Sequence, residues 1–204
     1  MQTDRRTHAP GTMADGAQDP DAPVPGTPWR TPAGPSSHHV VVDSPIEELT
    51  LVCDGAALTG VYMAVHRHTD RTGWGERVRL EDASTPAVLR DAATQLSAYF
   101  AGELTDFDLP LAPRGTQFQH LVWAELLTIP FAETRSYGEL ATRLGNPGAS
   151  RAVGLANGRN PISIVVPCHR VVGSTGQLTG YGGGIDRKRT LLALEERVGG
   201  RSLW

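Results

Sequence analysis

The stretch Ser136–Gly158, SYGELATRLGNPGASRAVGLANG, decides how the second half of the chain is built. Ser136 and Glu139 have the S-x-x-E spacing of a capping box, in which each side chain satisfies a backbone N–H that the first helical turn leaves unpaired. A short helix therefore opens here, runs through Leu144 and ends at Gly145. Asn146-Pro147-Gly148 interrupts it, and a second helix follows over ASRAVGLAN, closed by Gly158. Two short helices across a tight Gly/Pro turn form a helix-turn-helix, whose second member could enter a DNA groove. Many helical domains contain such a pair without touching nucleic acid, so the spacing alone leaves both readings open.

Upstream, Phe118, Leu121, Val122, Glu125 and Leu126 share one helix that stops before Pro130. Before it the period changes. VVVDSPIEELTLVCDGAALTGVYMAV, from Val40, reads as a strand, a turn at Asp43-Ser44-Pro45, a strand over 48–53, a turn at Asp54-Gly55 and a strand over 57–65. The segment 66–79 is polar and reads as a loop. Ser84-Thr85-Pro86 then opens a helix that carries Val88, Ala92, Leu96 and Tyr99 on one face and ends near Ala101-Gly102. The expected fold is a small α/β N-terminal domain over 40–108, an antiparallel sheet with one helix. A linker over 109–115 leads to a mainly α C-terminal domain over 116–198 that contains the helix-turn-helix. Another amphipathic helix occupies 187–198, and 199–204 is a tail. Residues 1–39 hold many turn formers and almost no apolar periodicity, so they are expected to be disordered.

The formal net charge of -3 does not favour a nucleic-acid partner, but its distribution is uneven. Up to Ala112 there are 8 basic and 16 acidic residues; from Pro113 to Val198 there are 10 basic and 6 acidic. A basic C-terminal half could meet phosphates, or it could be only solvated surface. The two cysteines, Cys53 and Cys168, are too few for a disulfide framework, and neither a signal-peptide core nor a membrane span is legible. A cytoplasmic protein fits these features. The histidines and cysteines do not cluster at zinc-ligand spacing, and GYGGG lacks the Lys-Ser/Thr of a phosphate loop.

Cys168 follows the apolar run ISIVV and Pro167 and precedes His169 and Arg170. A thiol at the edge of a core with cationic neighbours can be a nucleophile, because positive charge favours the thiolate. It can equally be a buried structural cysteine beside a satisfied histidine. Cys53, in mid-strand, fits that second description.

The run Ile162–Gly173, ISIVVPCHRVVG, resembles the active-site motif of the O6-alkylguanine-DNA alkyltransferases, the methylated-DNA–protein-cysteine methyltransferase family. TRSYGELA, SRAVGLANGRNP and LTGYGGG resemble further blocks of that family, in the same order along the chain. The resemblance implies repair of O6-alkylguanine, and of O4-alkylthymine, by irreversible transfer of the alkyl group to Cys168, one lesion per molecule. It implies that His169 takes the thiol proton through a water, and that Glu195 orients and balances the imidazolium that results. A carboxylate beside the histidine and an imidazolium beside the cysteine would match each charge and hold the sulfur as an anion. Asn160 would hold the active-site turn, and Tyr137 would contact the flipped base and donate a proton at N3. Arg151 would fill the gap in the stack, on a DNA-binding helix that also offers Ser150, Ala152, Gly154 and Asn157. Val171, Tyr181 and Gly182 would line the base pocket.

The implied partner is double-stranded DNA approached through the minor groove, with no metal or other cofactor, no membrane contact and a monomeric state. Many relatives carry a serine where Gly182 stands, so a side-chain hydroxyl near O6 is missing here. Three other functions are compatible with parts of the chain. A non-catalytic alkylated-base binder would not need Cys168. A helix-turn-helix regulator would leave PCHRV unused. A cysteine hydrolase would turn over.

Overall fold

The computed structural model describes residues 24–65 and 73–200. The expectation of disorder over 1–23, the last four residues of the tail and the first half of the polar loop, 66–72, lie outside the described residues. The N-terminal half is a four-stranded sheet in the order β3-β2-β1-β4, with β1 His38–Val42, β2 Leu49–Cys53, β3 Leu58–Met63 and β4 Glu76–Arg77. The β1–β2 and β2–β3 pairs are antiparallel, and β4 pairs parallel with β1. Helix α1, Ala87–Ala101, packs on β2 through Val88, Leu89, Ala92, Leu96 and Tyr99, the face that the helical period marked. Leu49, Leu51 and Cys53 alternate toward the core from the sheet side, and each such apolar side chain stabilises the fold by about 2 kcal/mol. Gly102 ends α1 in a left-handed conformation, φ 79°, with its N–H on the last carbonyls.

The C-terminal half contains α2 Gln117–Leu126, α3 Tyr137–Arg143, α4 Ser150–Gly158 and α5 Ile185–Gly199, with a two-stranded sheet of β5 Arg135–Ser136 and β6 Val171–Val172. The capping box at Ser136 and Glu139 is formed, and Thr116 and Gln119 form a second one at the start of α2. A 3-10 turn over Pro147–Ala149 joins α3 to α4 and completes the helix-turn-helix. On α2, Phe118 and Leu121 are exposed, and His120 and Trp123 face the core with Val122 and Leu126.

Two boundaries differ from the sequence reading. Order does not begin at Val40: β1 starts at His38, and Trp29 is 6% exposed, its indole N–H donating to the His120 carbonyl at 3.0 Å. One buried indole outweighs a Pro/Gly-rich composition around it. The stretch 109–115 is also not a free linker. Leu58 N–H donates to Pro110 O at 2.8 Å and Ala112 N–H to Leu58 O at 2.9 Å, so the stretch pairs with the open edge of β3. Farther along that edge Val61 N–H reaches Pro161 O at 2.9 Å, which joins the sheet to the segment leading to Cys168. An unpaired strand edge exposes backbone groups that seek partners, and here the chain covers its own edge.

Trp29→Ala should lower unfolding stability by about 3 kcal/mol in a denaturant titration. A loss below about 1 kcal/mol would show that this segment is not docked on the core.

Candidate active site

Backbone devices place Cys168. Asn160 donates from Nδ2 to Val166 O at 2.8 Å and accepts the Ile162 N–H at 3.0 Å, so one buried amide clamps both ends of a turn. Inside the clamp Ile164 has φ 74°, a conformation that β-branched residues avoid. It is held by Val165 N–H on Ser163 O at 3.0 Å and Val166 N–H on Ile162 O at 2.9 Å. After Pro167, the residues Cys168–Arg170 form one 3-10 turn, so their side chains point about 120° apart. β6 follows directly and pairs with β5, with Arg135 opposite Val171 and Ser136 opposite Val172. Because Tyr137 comes next after β5, this small sheet fixes Tyr137 relative to Cys168.

His169 and Arg170 converge on Glu195 of α5. Glu195 Oε1 accepts from His169 Nε2 at 2.7 Å and from the Tyr99 hydroxyl at 2.8 Å; Oε2 accepts from Arg170 Nε at 2.9 Å and from Ala132 N–H at 3.1 Å. Arg170 also donates to Ile129 O at 2.7 Å and lies 5.6 Å from the centre of the Phe131 ring. Glu195, His169, Arg170, Tyr99, Ile129 and Ala132 are buried, and Phe131 is partly buried. Burial pushes the Glu195 carboxyl up, but His169 and Arg170 outweigh it and hold the group at about 2. An ionised carboxylate only accepts, so His169 Nε2 carries the hydrogen and Nδ1 is the basic atom. That Nδ1 is buried with no hydrogen-bond partner among the described residues.

Burial also pushes His169 below its ordinary value despite Glu195, with Arg170 and Lys188 adding to the effect. It pushes the Cys168 thiol up, and Asn160, Lys188 and Ser163 offset this only in part. At rest the pair is therefore a neutral thiol and a neutral imidazole. The sulfur is not held as an anion, because desolvation in a site this dry outweighs the nearby charge. Cys168 is 3% exposed.

The other expected residues divide between the site and its rim. Tyr137 donates its hydroxyl to Thr179 O at 3.1 Å, with Gly180 O an alternative acceptor at 3.3 Å, so α3 is tied to the glycine-rich loop. Tyr181 and Val171 are buried, and Gly182 is half-buried. Arg151, Ala152 and Leu155 are exposed on α4 and Arg159 just past its end, with Ser150 partly exposed at its start. Gly154 faces the Tyr137 ring, where an added Cβ would lie 3.7 Å from it. Asn157 is not on the exposed face: it is 2% exposed and donates to Cys168 O at 3.3 Å, since its helical position belongs with buried Val153 and Ala156.

Sequence reasoning gave no role to Tyr99, Ala132 or Lys188. Lys188 Nζ donates to Val171 O and to Thr179 O, and burial lowers it to about 8 while Cys168 pulls it back up. As the chain's one lysine among arginines it was visible, but nothing local signalled its burial. Among the described residues no group of three histidine, cysteine or acidic side chains could hold a metal ion, and no helix is long and apolar enough to cross a membrane.

A sheet domain joined to a helix-turn-helix domain, with a thiol, a histidine and a buried carboxylate at the junction, has the groups that nucleophilic chemistry at a cysteine requires. Residues 38–113 match the 6-O-methylguanine DNA methyltransferase ribonuclease-like domain, and residues 117–197 match the DNA binding domain of the same enzyme. A methylated-DNA–protein-cysteine methyltransferase of Mycolicibacterium paratuberculosis is 57% identical over 163 residues, 79% of this chain and 94% of the relative. One from Methanosarcina acetivorans is 48% identical over 160 residues, 78% of this chain and 97% of the relative. The crystal structure of Mycobacterium tuberculosis OGT in complex with DNA is similar with a TM-score of 0.71 at 56% identity, covering 79% of this chain and 94% of that one. The chain belongs to the methylated-DNA–protein-cysteine methyltransferase family.

Glu195 titrates below its ordinary 4.5, so its contribution to stability is full above about pH 4.5 and is lost as the pH falls toward 2. Glu195→Gln should cost about 3 kcal/mol at neutral pH, because Arg170 stays buried without its anion. The gap between wild type and variant should shrink through that acid window in unfolding titrations. A gap independent of pH would contradict an ionised Glu195.

Proposed function

We propose that the protein repairs O6-alkylguanine in DNA, and O4-alkylthymine by the same route, by moving the alkyl group once and irreversibly to Cys168. The observation that carries this reading is the free basic Nδ1 of His169, fixed by Glu195 beside a cysteine whose turn Asn160 clamps. The reaction needs a base only when the substrate is present, which suits a pair that rests neutral. His169 Nδ1 takes the thiol proton through one water, and the thiolate attacks the alkyl carbon in line with the C–O6 bond. The S–C bond forms as the C–O bond breaks, and its electron pair moves into the guanine. Tyr137 supplies a proton at N3 of the leaving base, and the proton held by His169 returns through solvent to restore the phenol. The thioether does not hydrolyse, so the protein is consumed.

The substrate atom is buried inside a base pair, and the nucleotide has to leave the stack at a cost of a few kcal/mol. Exposed Arg151 near the start of α4 occupies the vacated space, with Ser150 and Ala152 against the backbone. The helix lies in the minor groove, whose degenerate pattern suits a protein that inspects every sequence. The protein acts as a monomer. The base reaches Cys168 past Tyr137, Tyr181 and Gly182 once the Tyr137 contacts to the loop open. Both cysteines are free, and a reducing cytoplasm keeps the acceptor thiol available. The readings as a non-catalytic binder or a regulator leave the Cys168–His169–Glu195 set without work and are not favoured.

Incubation with duplex DNA containing O6-methylguanine should add one methyl group, located by peptide mass spectrometry at Cys168. Modification at Cys53, or repeated turnover, would overturn the reading. Arg151→Ala should slow repair of duplex DNA about tenfold or more while leaving reaction with the free base nearly unchanged. Equal slowing of both would remove Arg151 from the flipping step.

A further inference from the structure

The Tyr99 hydroxyl lies 2.8 Å from Glu195 Oε1, the same oxygen that holds His169 Nε2 at 2.7 Å. Tyr99 sits in the last turn of α1, in the sheet domain, whereas Glu195 is on α5 and His169 in the active-site turn. Its ring is fully buried and packs against Phe100, Phe107 and Phe131 with centroids 5.4, 5.5 and 6.2 Å away. A purely apolar role in that cluster would be met by phenylalanine. The hydroxyl is the added feature, and it is spent on the one carboxylate that governs the base.

We infer that Tyr99 is a positioning residue supplied by the N-terminal domain to the alkyl-acceptor site, where it shares the charge of Glu195 and so keeps His169 a free, neutral base until substrate arrives. This deepens the repair reading and rests on it only for the meaning of the rate. The groups acting on the imidazole and its carboxylate are Arg170 from the turn, Glu195 and Lys188 from α5, and Tyr99 from α1. Arg170 reaches both carboxylate oxygens, and Ala132 N–H takes Oε2, so Oε1 is the atom on which His169 and Tyr99 compete. Burial and the nearby Glu195 charge push the Tyr99 phenol well up, so it remains a donor throughout and never takes the proton itself. With the hydroxyl gone, more of the Oε1 charge falls on His169, the imidazolium becomes easier to form, and the histidine rests partly protonated.

Two probes test this. In Tyr99→Phe, the NMR titration of the His169 ring in the DNA-free protein should move up by about one pH unit, the size of one charge-assisted hydrogen bond. The acid limb of the methyl-transfer rate should move up with it. With 3-fluorotyrosine at position 99 alone, whose phenol is the stronger donor, both should move down. A change in melting temperature without either shift, or shifts of the same sign from both probes, overturns the inference. If Tyr99→Phe does not fold, the fluorotyrosine arm decides alone. Shifted ring titrations in a protein that transfers no methyl group would keep the positioning role and discard the repair reading.

Discussion

A single carboxylate, Glu195, carries the arrangement of the whole active-site region. Removing a charge from water is costly, and a buried carboxylate is tolerated only when donors satisfy it completely. Here four donor residues come from three places in the chain: α1, the segment before β5, and two consecutive residues of the active-site turn. Satisfying Glu195 therefore obliges the sheet domain and the helical domain to meet in one geometry. The same bonds select the tautomer of His169 and aim its free nitrogen. Stability and chemistry are coupled because one set of hydrogen bonds serves both.

The second constraint is backbone geometry at the nucleophile. Positive φ at Ile164 is unfavourable for a β-branched residue, and such strain persists only where the surroundings over-determine it. Asn160 spans the turn, Pro161 and Ser163 pair with the edge of β3, and β6 locks onto β5 just after the cysteine. Cys168 thus sits on a loop whose two ends belong to two different sheets. A loop fixed in this way can hold a thiol within a fraction of an ångström without any helix beneath it, and positioning of that quality is worth several powers of ten in an in-line displacement.

Much of this was legible in the chain. Ser136 and Glu139 announced α3, the period of Val88, Ala92, Leu96 and Tyr99 announced α1, and PCHRV marked the site through its family resemblance. These are local signals, each contained within one turn or one helix. Thr116 and Gln119 form a second capping pair of the same spacing, among less regular neighbours. What could not be read were contacts between distant residues. Tyr99 and Glu195 lie 96 positions apart, and the helical period that marked Tyr99 as core gave no hint of its hydroxyl's target. Trp29 docks on a carbonyl 91 positions away, which composition over 1–39 could not disclose. Asn157 followed the DNA-facing helix in sequence but falls on its buried side, a difference of about 100° per residue that a motif does not register.

The charge split along the chain takes on physical meaning once the exposed face of α4 is considered. Arg151 on α4 and Arg159 just past its end are both exposed, with Leu155 between them 70% exposed. A large apolar side chain left in water between two guanidinium groups gains nothing for the isolated fold. Under the proposed DNA contact the same stripe would have a use: Arg159 would meet a phosphate and Leu155 would press on sugars or a loosened base step, beside the stack position proposed for Arg151. The acidic sheet domain would then be held away from the phosphates by repulsion, which makes the proposed contact the electrostatically favoured approach. Because the sheet domain also supplies a donor to Glu195, its role is not confined to orientation. On that reading, the half of the protein that would face away from DNA contributes a hydrogen bond to the carboxylate that fixes the base of the other half.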